Sequence, residues 1–456
     1  MDATLDLMAT ALSTDLYEIT MAAGYVTAGI TDRASFELSV RSLPANRSYL
    51  IAAGLETALE YLENFEFTPA EIKYLRGLPA LRNVPSEFFD ETLPSLRFTG
   101  DVWAMPEGTP VFPHEPLIRV TAPLVEAQLV ETTLLSTLSF QTSVASRAAR
   151  IVDAADGRPV FEFGARRAHG TEAGLFAARG AYVGGCGGTS MVEAGYRYGV
   201  PLTGTMAHSW VMCFDTETEA YERYMDLYGR QAVLLIDTYD SATAVGRIAR
   251  AGLRPGAVRI DSGDLLTESQ SVRLRLNAVG LAETSIFVSG DLDETRIAGL
   301  VEADAPIDGF GVGNALSTVS DAPALGAVYK LVEIERKGEP RPTLKLSHGK
   351  TTYPGRKQVW RLANSHGIYT HDVIHLVDDE GSDEGHRLLD RVMVDGQRSR
   401  IAPTLSSVQT TTRAQLNRLP AAVRDMQQGE QYPVHRSQGL KRLMTELSDT
   451  LREAGE

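Results

Sequence analysis

From about residue 157 to residue 335 the chain repeats one cadence: a short apolar run, a polar loop, and then a segment with apolar residues three or four positions apart. Short runs bounded by turn residues read as buried strands, and the 3.6-residue period that follows reads as a helix packed against them. The runs lie at 160–163, 181–184, 202–206, 232–236, 257–260, 285–288, 307–310 and 327–332. Among the helices, Ala220, Tyr221, Tyr224, Met225 and Tyr228 form one stripe that stops at Gly229. Ser241 stands as N-cap to another, which carries Val245, Ile248 and Ala249 and stops at Gly252. Strands alternating with helices at intervals of roughly 22 to 30 residues predict an irregular (β/α) barrel, whose working face is the edge where strands run out into loops.

The flanking segments have a different pattern. Ser13 or Thr14 caps a first helix through Leu16, Tyr17 and Ile19, residues 34–40 alternate as a strand, and helical periodicity returns at 54–65, 70–77 and 86–93. Prolines at 106, 110, 113 and 116 break 101–120 into short strands, and Pro123 begins one or two long helices. The predicted class is α/β: an α+β N-terminal domain (1–122), bridging helices with a barrel catalytic domain (123–335), and C-terminal strands and helices packing on both (336–456). Within the last part, the basic run around Pro354 and Gly355 reads as a solvated hairpin and 378–385 as an acidic surface turn. Leu440, Leu443, Met444, Leu447 and Leu451 outline a closing amphipathic helix.

Composition narrows the partners. With 44 Lys and Arg against 59 Asp and Glu the formal charge is -15, which argues against nucleic acid or an anionic membrane as the main partner. Cys186 and Cys213 are the only cysteines in 456 residues, too few for a disulfide framework or a thiolate zinc site, so a reducing cytoplasmic setting is expected. No basic leader with an apolar core opens the chain, and no run reaches membrane-spanning length.

The polar residues at the predicted strand ends form a series: Arg166 and Arg167; 185–190; Thr205 and His208; Asp237; Arg259, Asp261 and Asp264; Ser289, Gly290 and Asp291; Gly311, Gly313 and Asn314. Any one alone is an ordinary turn glycine or capping aspartate, but their recurrence at one position of successive units is not explained by local structure. Glycine-rich strand ends let backbone N–H groups approach phosphate oxygens, arginine supplies a fork for phosphate or carboxylate, and carboxylates suit ribose hydroxyls or Mg²⁺. No GxxxxGK[ST] sequence occurs, so a phosphorylated sugar on a barrel rim fits better than a P-loop nucleotide site. A barrel lyase would need a strand-end lysine or a metal-bound nucleophile, and Lys330 is the barrel-strand lysine on offer. A non-catalytic sensor of a phosphorylated sugar would have no need of His208 with both Asp261 and Asp291.

The segments FGARRA (163–168), GGTS (187–190) and GTMAHS (204–209) resemble successive signatures of the nicotinate phosphoribosyltransferases, and the similarity runs from Thr14 to about Leu440. The resemblance implies the type II phosphoribosyltransferase fold. It also implies an ATP-coupled reaction, of the ligase class, joining nicotinate to phosphoribosyl pyrophosphate in NAD biosynthesis. On it, His208 corresponds to a histidine transiently phosphorylated by ATP, and Arg259, Asp261 and Asp291 complete the catalytic set. Arg259, Thr205 and Tyr17 correspond to contacts of the nicotinate ring. Ser289, Gly290 and Asp291, with Asp261, correspond to the ribose site, and Gly311, Gly313 and Asn314 to the loop around the 5′-phosphate; some relatives carry threonine where Asn314 stands. Arg166 contacts either phosphate or the nicotinate carboxylate, and Arg167 either shares that role or supports the rim. Mg²⁺ is expected near Asp237 and Asp261. A homodimer is implied, with Tyr17 reaching the partner's site. An enzyme of the same architecture using nicotinamide is the nearest alternative.

Overall fold

The structure is a computed structural model that describes residues 9–346, 352–379, 385–426 and 429–453. Residues 347–351 of the basic hairpin and 380–384 of the acidic turn therefore lie outside the described residues. The chain divides into two compact units, 1–143 with 324–456, and 144–323.

The first unit is built on a seven-stranded antiparallel sheet. Its order is Glu339–Pro342, Ala327–Arg336, Arg33–Val40, Pro116–Pro123, Asp101–Ala104, Asp390–Val394 and Gln397–Arg398. Phe36, Leu38, Val102, Ala104, Ile118 and Val120 line its interior, with Leu55, Ala58, Leu59 and Leu62 from the helix Leu55–Glu63 in the same core. The run 327–332 is thus not a barrel strand: it opens the ten-residue strand Ala327–Arg336, which pairs antiparallel with Arg33–Val40. Its spacing from the preceding run mimics the barrel cadence, and an apolar run alone does not reveal its partner. Lys330 goes with it. Its ammonium lies 3.8 Å from Glu131 and donates to the carbonyl of Tyr329, so the lysine of the lyase alternative is not at a barrel strand end.

Two further local readings change. The first helix is Leu16–Thr27 with Asp15 at the N-cap; Thr14 instead directs its hydroxyl to the Leu129 carbonyl at 3.2 Å and to Glu18. Lys357, in the run read as solvated, is buried and ion-paired with buried Glu37 at 2.9 Å, its remaining donors meeting the carbonyls of Tyr353 and Gly355. The closing helix is present as Gln438–Glu453, anchored by buried Leu440.

The second unit carries a curled six-stranded parallel sheet in the order Gly188–Thr189, Val160–Glu162, Gly309–Val312, Ser285–Val288, Ala257–Ile260 and Val233–Leu235. It is a half-barrel. Residues 181–184, read as a strand, fall at the end of the helix Thr171–Val183, and the strand comes later at Gly188–Thr189. Small apolar residues there suit the tight packing of a helix, where Gly184 lies so close to Ala145 that a Cβ would meet its carbonyl at 2.3 Å. The run 202–206 contributes a single bridge, Leu202 to Thr189. Asp240, not Ser241, caps the helix Ser241–Arg250, accepting from the Thr243 amide at 2.7 Å; Asp264 similarly caps Leu265–Ala278, which accounts for its place after a strand. Cys186 is buried and Cys213 exposed, and among the described residues no helix is long and apolar enough to cross a membrane.

Candidate active site

All six strands of the second unit run the same way, so their C-terminal ends form one edge, and open parallel sheets bind ligands beyond that edge. Each strand buries its apolar residues in the sheet and turns polar within a few positions of its end. Ala257–Ile260 illustrates this: Val258 and Ile260 are buried, Arg259 between them is half-buried, and Asp261 follows directly. Along the edge lies a cavity of about 530 Å³, walled by Phe163, Arg166, Arg167, Ser190, residues 204–208, Arg259, Asp261, Ser289, Gly290, Asp291, Gly311, Gly313 and Asn314. Of the residues singled out in the sequence, Arg166, Arg167, Ser190, Thr205, His208, Arg259, Asp261, Ser289, Gly290, Asp291, Gly311, Gly313 and Asn314 are therefore brought together. Asp237 stands just behind Asp261, and Tyr17 belongs to the first unit, in the first turn of Leu16–Thr27 with its side chain 46% exposed.

Size does not single out this cavity. A cleft of about 600 Å³ lies between Phe214, Glu217, Tyr239, Arg247 and Arg250, but Arg247 and Glu217 there are already paired at 2.5 Å, whereas the rim cavity keeps its charged groups open. Arg166 and Arg167 follow the strand Val160–Glu162 in a short 3₁₀ turn, both exposed, and Arg166 makes no hydrogen bond or ion pair among the described residues. Arg259 is more enclosed: Nη2 donates to the Met206 carbonyl at 3.3 Å and buried Nε has no partner. Burial lowers its affinity for a proton, the carboxylates of Asp261 and Asp237 oppose this, and the charge of Arg166 adds to it. Arg166, Arg167 and Arg259 thus line one cavity, a disposition for an anion bearing several oxygens.

The carboxylates are held in a chain. Asp237 Oδ2 accepts from the Asp261 amide at 2.9 Å and from the Ser262 hydroxyl at 2.5 Å, while the Ser289 hydroxyl donates to Asp261 Oδ1. Asp237 Oδ1 is buried and has no hydrogen-bond partner. His208, the first residue of the short helix His208–Met212, sets Nδ1 3.2 Å from the Thr238 hydroxyl and Nε2 3.9 Å from Asp261. Gly290 lies at φ 108°, and a Cβ there would meet the Asp261 carbonyl at 2.4 Å, so only glycine allows this approach. Asp291 follows at φ 48°, its carbonyl taking a 2.8 Å bond from Arg296 and its carboxylate a 3.4 Å bond from Asn314.

Two residues of the site escape the sequence reading. Thr238 orients the His208 ring from one position past Asp237, where the strand-end rule would have found it. Glu162 sits inside an apolar run and gives no signal of its own.

Comparison with known proteins follows this geometry. Residues 12–139 match the family model for the nicotinate phosphoribosyltransferase N-terminal domain. A nicotinate phosphoribosyltransferase of Mycobacterium tuberculosis is 46% identical over 433 residues, covering 93% of this chain and 91% of that protein. Another from Bacillus subtilis is 41% identical over 384 residues, covering 82% and 77%. The crystal structure of human nicotinic acid phosphoribosyltransferase superimposes with a TM-score of 0.83 at 29% identity, covering 95% of this chain and 99% of that one.

Proposed function

The chain belongs to the nicotinate phosphoribosyltransferase family, and we propose that it joins nicotinate to phosphoribosyl pyrophosphate, coupled to hydrolysis of ATP, to give nicotinate mononucleotide and pyrophosphate. The observation that carries this reading is the meeting of Arg166, Thr205, His208, Arg259, Asp261 and Asp291 around one cavity of about 530 Å³.

The pyridine nitrogen is already a nucleophile and needs no strong base. Its lone pair forms the bond to ribose C1 as the bond from C1 to the pyrophosphate oxygen breaks, the electron pair leaving with that oxygen. The protein's work is alignment and stabilisation of charge on the departing group. Arg259 and Thr205 hold the nicotinate, and Tyr17 completes the ring contacts from the partner subunit of a homodimer. Asp261 and Asp291 hold the ribose hydroxyls, and the N–H groups around Gly313 and Asn314 take the 5′-phosphate. Arg166, exposed and without a partner, meets either pyrophosphate or the nicotinate carboxylate.

Among the described residues no cluster of three His, Cys, Asp or Glu side chains is arranged to hold a metal ion. Asp237 and Asp261, with Asp237 Oδ1 unpartnered, fit Mg²⁺ of the kind that takes one or two protein carboxylates and fills its shell with phosphate oxygens and water. When bound there it supplies positive charge to the pyrophosphate. A ring nitrogen of His208 forms a bond to the γ-phosphorus of ATP as the β,γ P–O bond breaks and ADP leaves with that electron pair. The negative charge then carried beside Asp261 reorders the rim. Water later cleaves the N–P bond to release phosphate and restore the imidazole, which ties ATP hydrolysis to product formation.

The test is to incubate the protein with Mg²⁺, phosphoribosyl pyrophosphate and either nicotinate or nicotinamide, with and without ATP. The expected result is nicotinate mononucleotide, formed faster with ATP, and loss of that stimulation in His208→Ala. A preference for nicotinamide, or no mononucleotide from either ring, overturns the reading; undiminished ATP stimulation in His208→Ala overturns the phosphohistidine.

A further inference from the structure

Glu162 ends the strand Val160–Glu162 and is 0% exposed, between Val312 of one neighbouring strand and Thr189 of the other. Its carboxylate serves two loops. Oε1 accepts from the backbone N–H of Gly164, and Oε2 accepts from the Thr189 hydroxyl at 2.6 Å. The Thr189 oxygen in turn accepts from the Met191 amide at 3.0 Å, and the Ser190 amide donates to the Glu162 carbonyl at 3.0 Å. Among the described residues no lysine, arginine or histidine pairs with this carboxylate. Burial raises its affinity for a proton, tempered by the two donors, and its charge adds to the burial that holds the neighbouring Cys186 thiol protonated.

A carboxylate buried without a cation is costly, and packing alone would be served better by an apolar side chain. What it supplies is a pair of rigidly linked acceptors aimed at separate segments. Gly164 is the pivot of the first. The Arg167 amide closes a turn onto the Gly164 carbonyl at 2.8 Å, so the position of Gly164 sets where the two guanidinium stems leave the backbone. A Cβ at Gly164 would lie 2.5 Å from the Gly313 carbonyl and 2.7 Å from Ser317, so its backbone also rests against the loop assigned to the 5′-phosphate. The second segment carries Ser190 into the cavity wall.

We infer that Glu162 is a positioning residue: by accepting from Gly164 and Thr189 at once it locks the 163–167 and 189–191 loops, and through Gly164 the 313–317 loop, into one anion-accepting rim. The ligand so served is a polyphosphate, pyrophosphate itself or the pyrophosphate arm of the sugar substrate. The inference rests on the reading of this rim as the phosphoribosyl pyrophosphate site.

The experiment measures binding of Mg²⁺-pyrophosphate by titration calorimetry alongside the KM for phosphoribosyl pyrophosphate and the melting temperature. Glu162→Gln, which replaces one of the two acceptors by a donor, and Thr189→Val, which removes the hydroxyl, are expected to weaken pyrophosphate binding about tenfold, the cost of a misplaced hydrogen-bonding group. Thr189→Ser keeps the hydroxyl and should bind as the unaltered protein does. Val160→Ala, a buried change on the same strand away from the rim, should lower the melting temperature and leave pyrophosphate binding unchanged. If Glu162→Gln does not fold, Thr189→Val against Thr189→Ser decides alone. Variants that melt early but bind pyrophosphate normally overturn the inference, as does an unaltered protein that does not bind pyrophosphate. The functional reading fails on a different readout, the absence of mononucleotide product.

Discussion

In the first unit Arg361 and Asp372, 1% and 0% exposed, face each other with the guanidinium Nε 2.9 Å from the carboxylate, and the Pro110 carbonyl takes another donor. Phe112, Tyr369 and Tyr432 ring the same cation, and the Tyr432 hydroxyl donates to Asp372. At the edge of the second unit's sheet the same residue types are arranged differently: among the described residues neither Arg166 nor Arg259 is ion-paired with a carboxylate, and both line the cavity. Charges that close on one another build a scaffold. Cations that line a cavity without a counter-charge of their own are placed to meet an anionic ligand, and they mark the site better than cavity size does.

That contrast is open to attack from both sides. The largest effect is expected from Asp372→Asn, which leaves a buried guanidinium without its counter-charge and should cost about 3–5 kcal/mol of stability, read from urea unfolding, while the folded fraction keeps its activity. Next, Arg259→Ala should reduce kcat/KM for nicotinate about 10²–10³-fold, the scale of losing one preorganised transition-state group, with a far smaller change in unfolding midpoint. A reversal, activity lost in the first variant and stability in the second, would dissolve the distinction. Thr238→Val removes the hydroxyl beside His208 Nδ1 and should slow labelling of the protein by γ-labelled ATP by about three- to tenfold, with Thr238→Ser restoring it.

The smallest effect concerns Glu115, fully buried beside Asp372. Burial first, and then the charge of Asp372, push its carboxyl well above the usual carboxylate range, which favours the neutral acid in the folded protein. A group whose folded value is raised contributes stability in full below the ordinary carboxylate range and loses it as pH climbs through the raised value. Glutamine copies the neutral acid. Glu115→Gln should therefore stay within about 1 kcal/mol of the original at neutral pH and flatten the fall of the urea midpoint as pH climbs above the ordinary carboxylate range. A large loss at neutral pH would mean that Glu115 is ionised and part of the ion pair.

Much of the cavity-lining sheet edge is legible along the chain because parallel strands impose a regular rule: apolar run, polar end, helix. Residues 257–260 and 285–288 coincide with the strands Ala257–Ile260 and Ser285–Val288, and the groups that follow them, Asp261, Ser289 and Asp291, line the cavity. The rule fails where an apolar run has more than one use. Residues 181–184 belong to a helix end, 202–206 add only one bridge, and the run beginning at Ala327 joins the antiparallel sheet.

The amino-acid sequence by itself determined the repeating strand and helix units, the glycines at their ends, and which arginines, aspartates and histidine stand there, because hydrophobic period and turn chemistry are local properties. Tertiary structure alone decided which units share a sheet and whether a charge is sealed or open. Lys357 and Glu37 are 320 positions apart and Glu162 and Thr189 are 27, yet each pair is in direct contact. Such pairings depend on the packing of whole elements, which places groups distant along the chain within hydrogen-bonding reach and determines which of them are left facing the cavity.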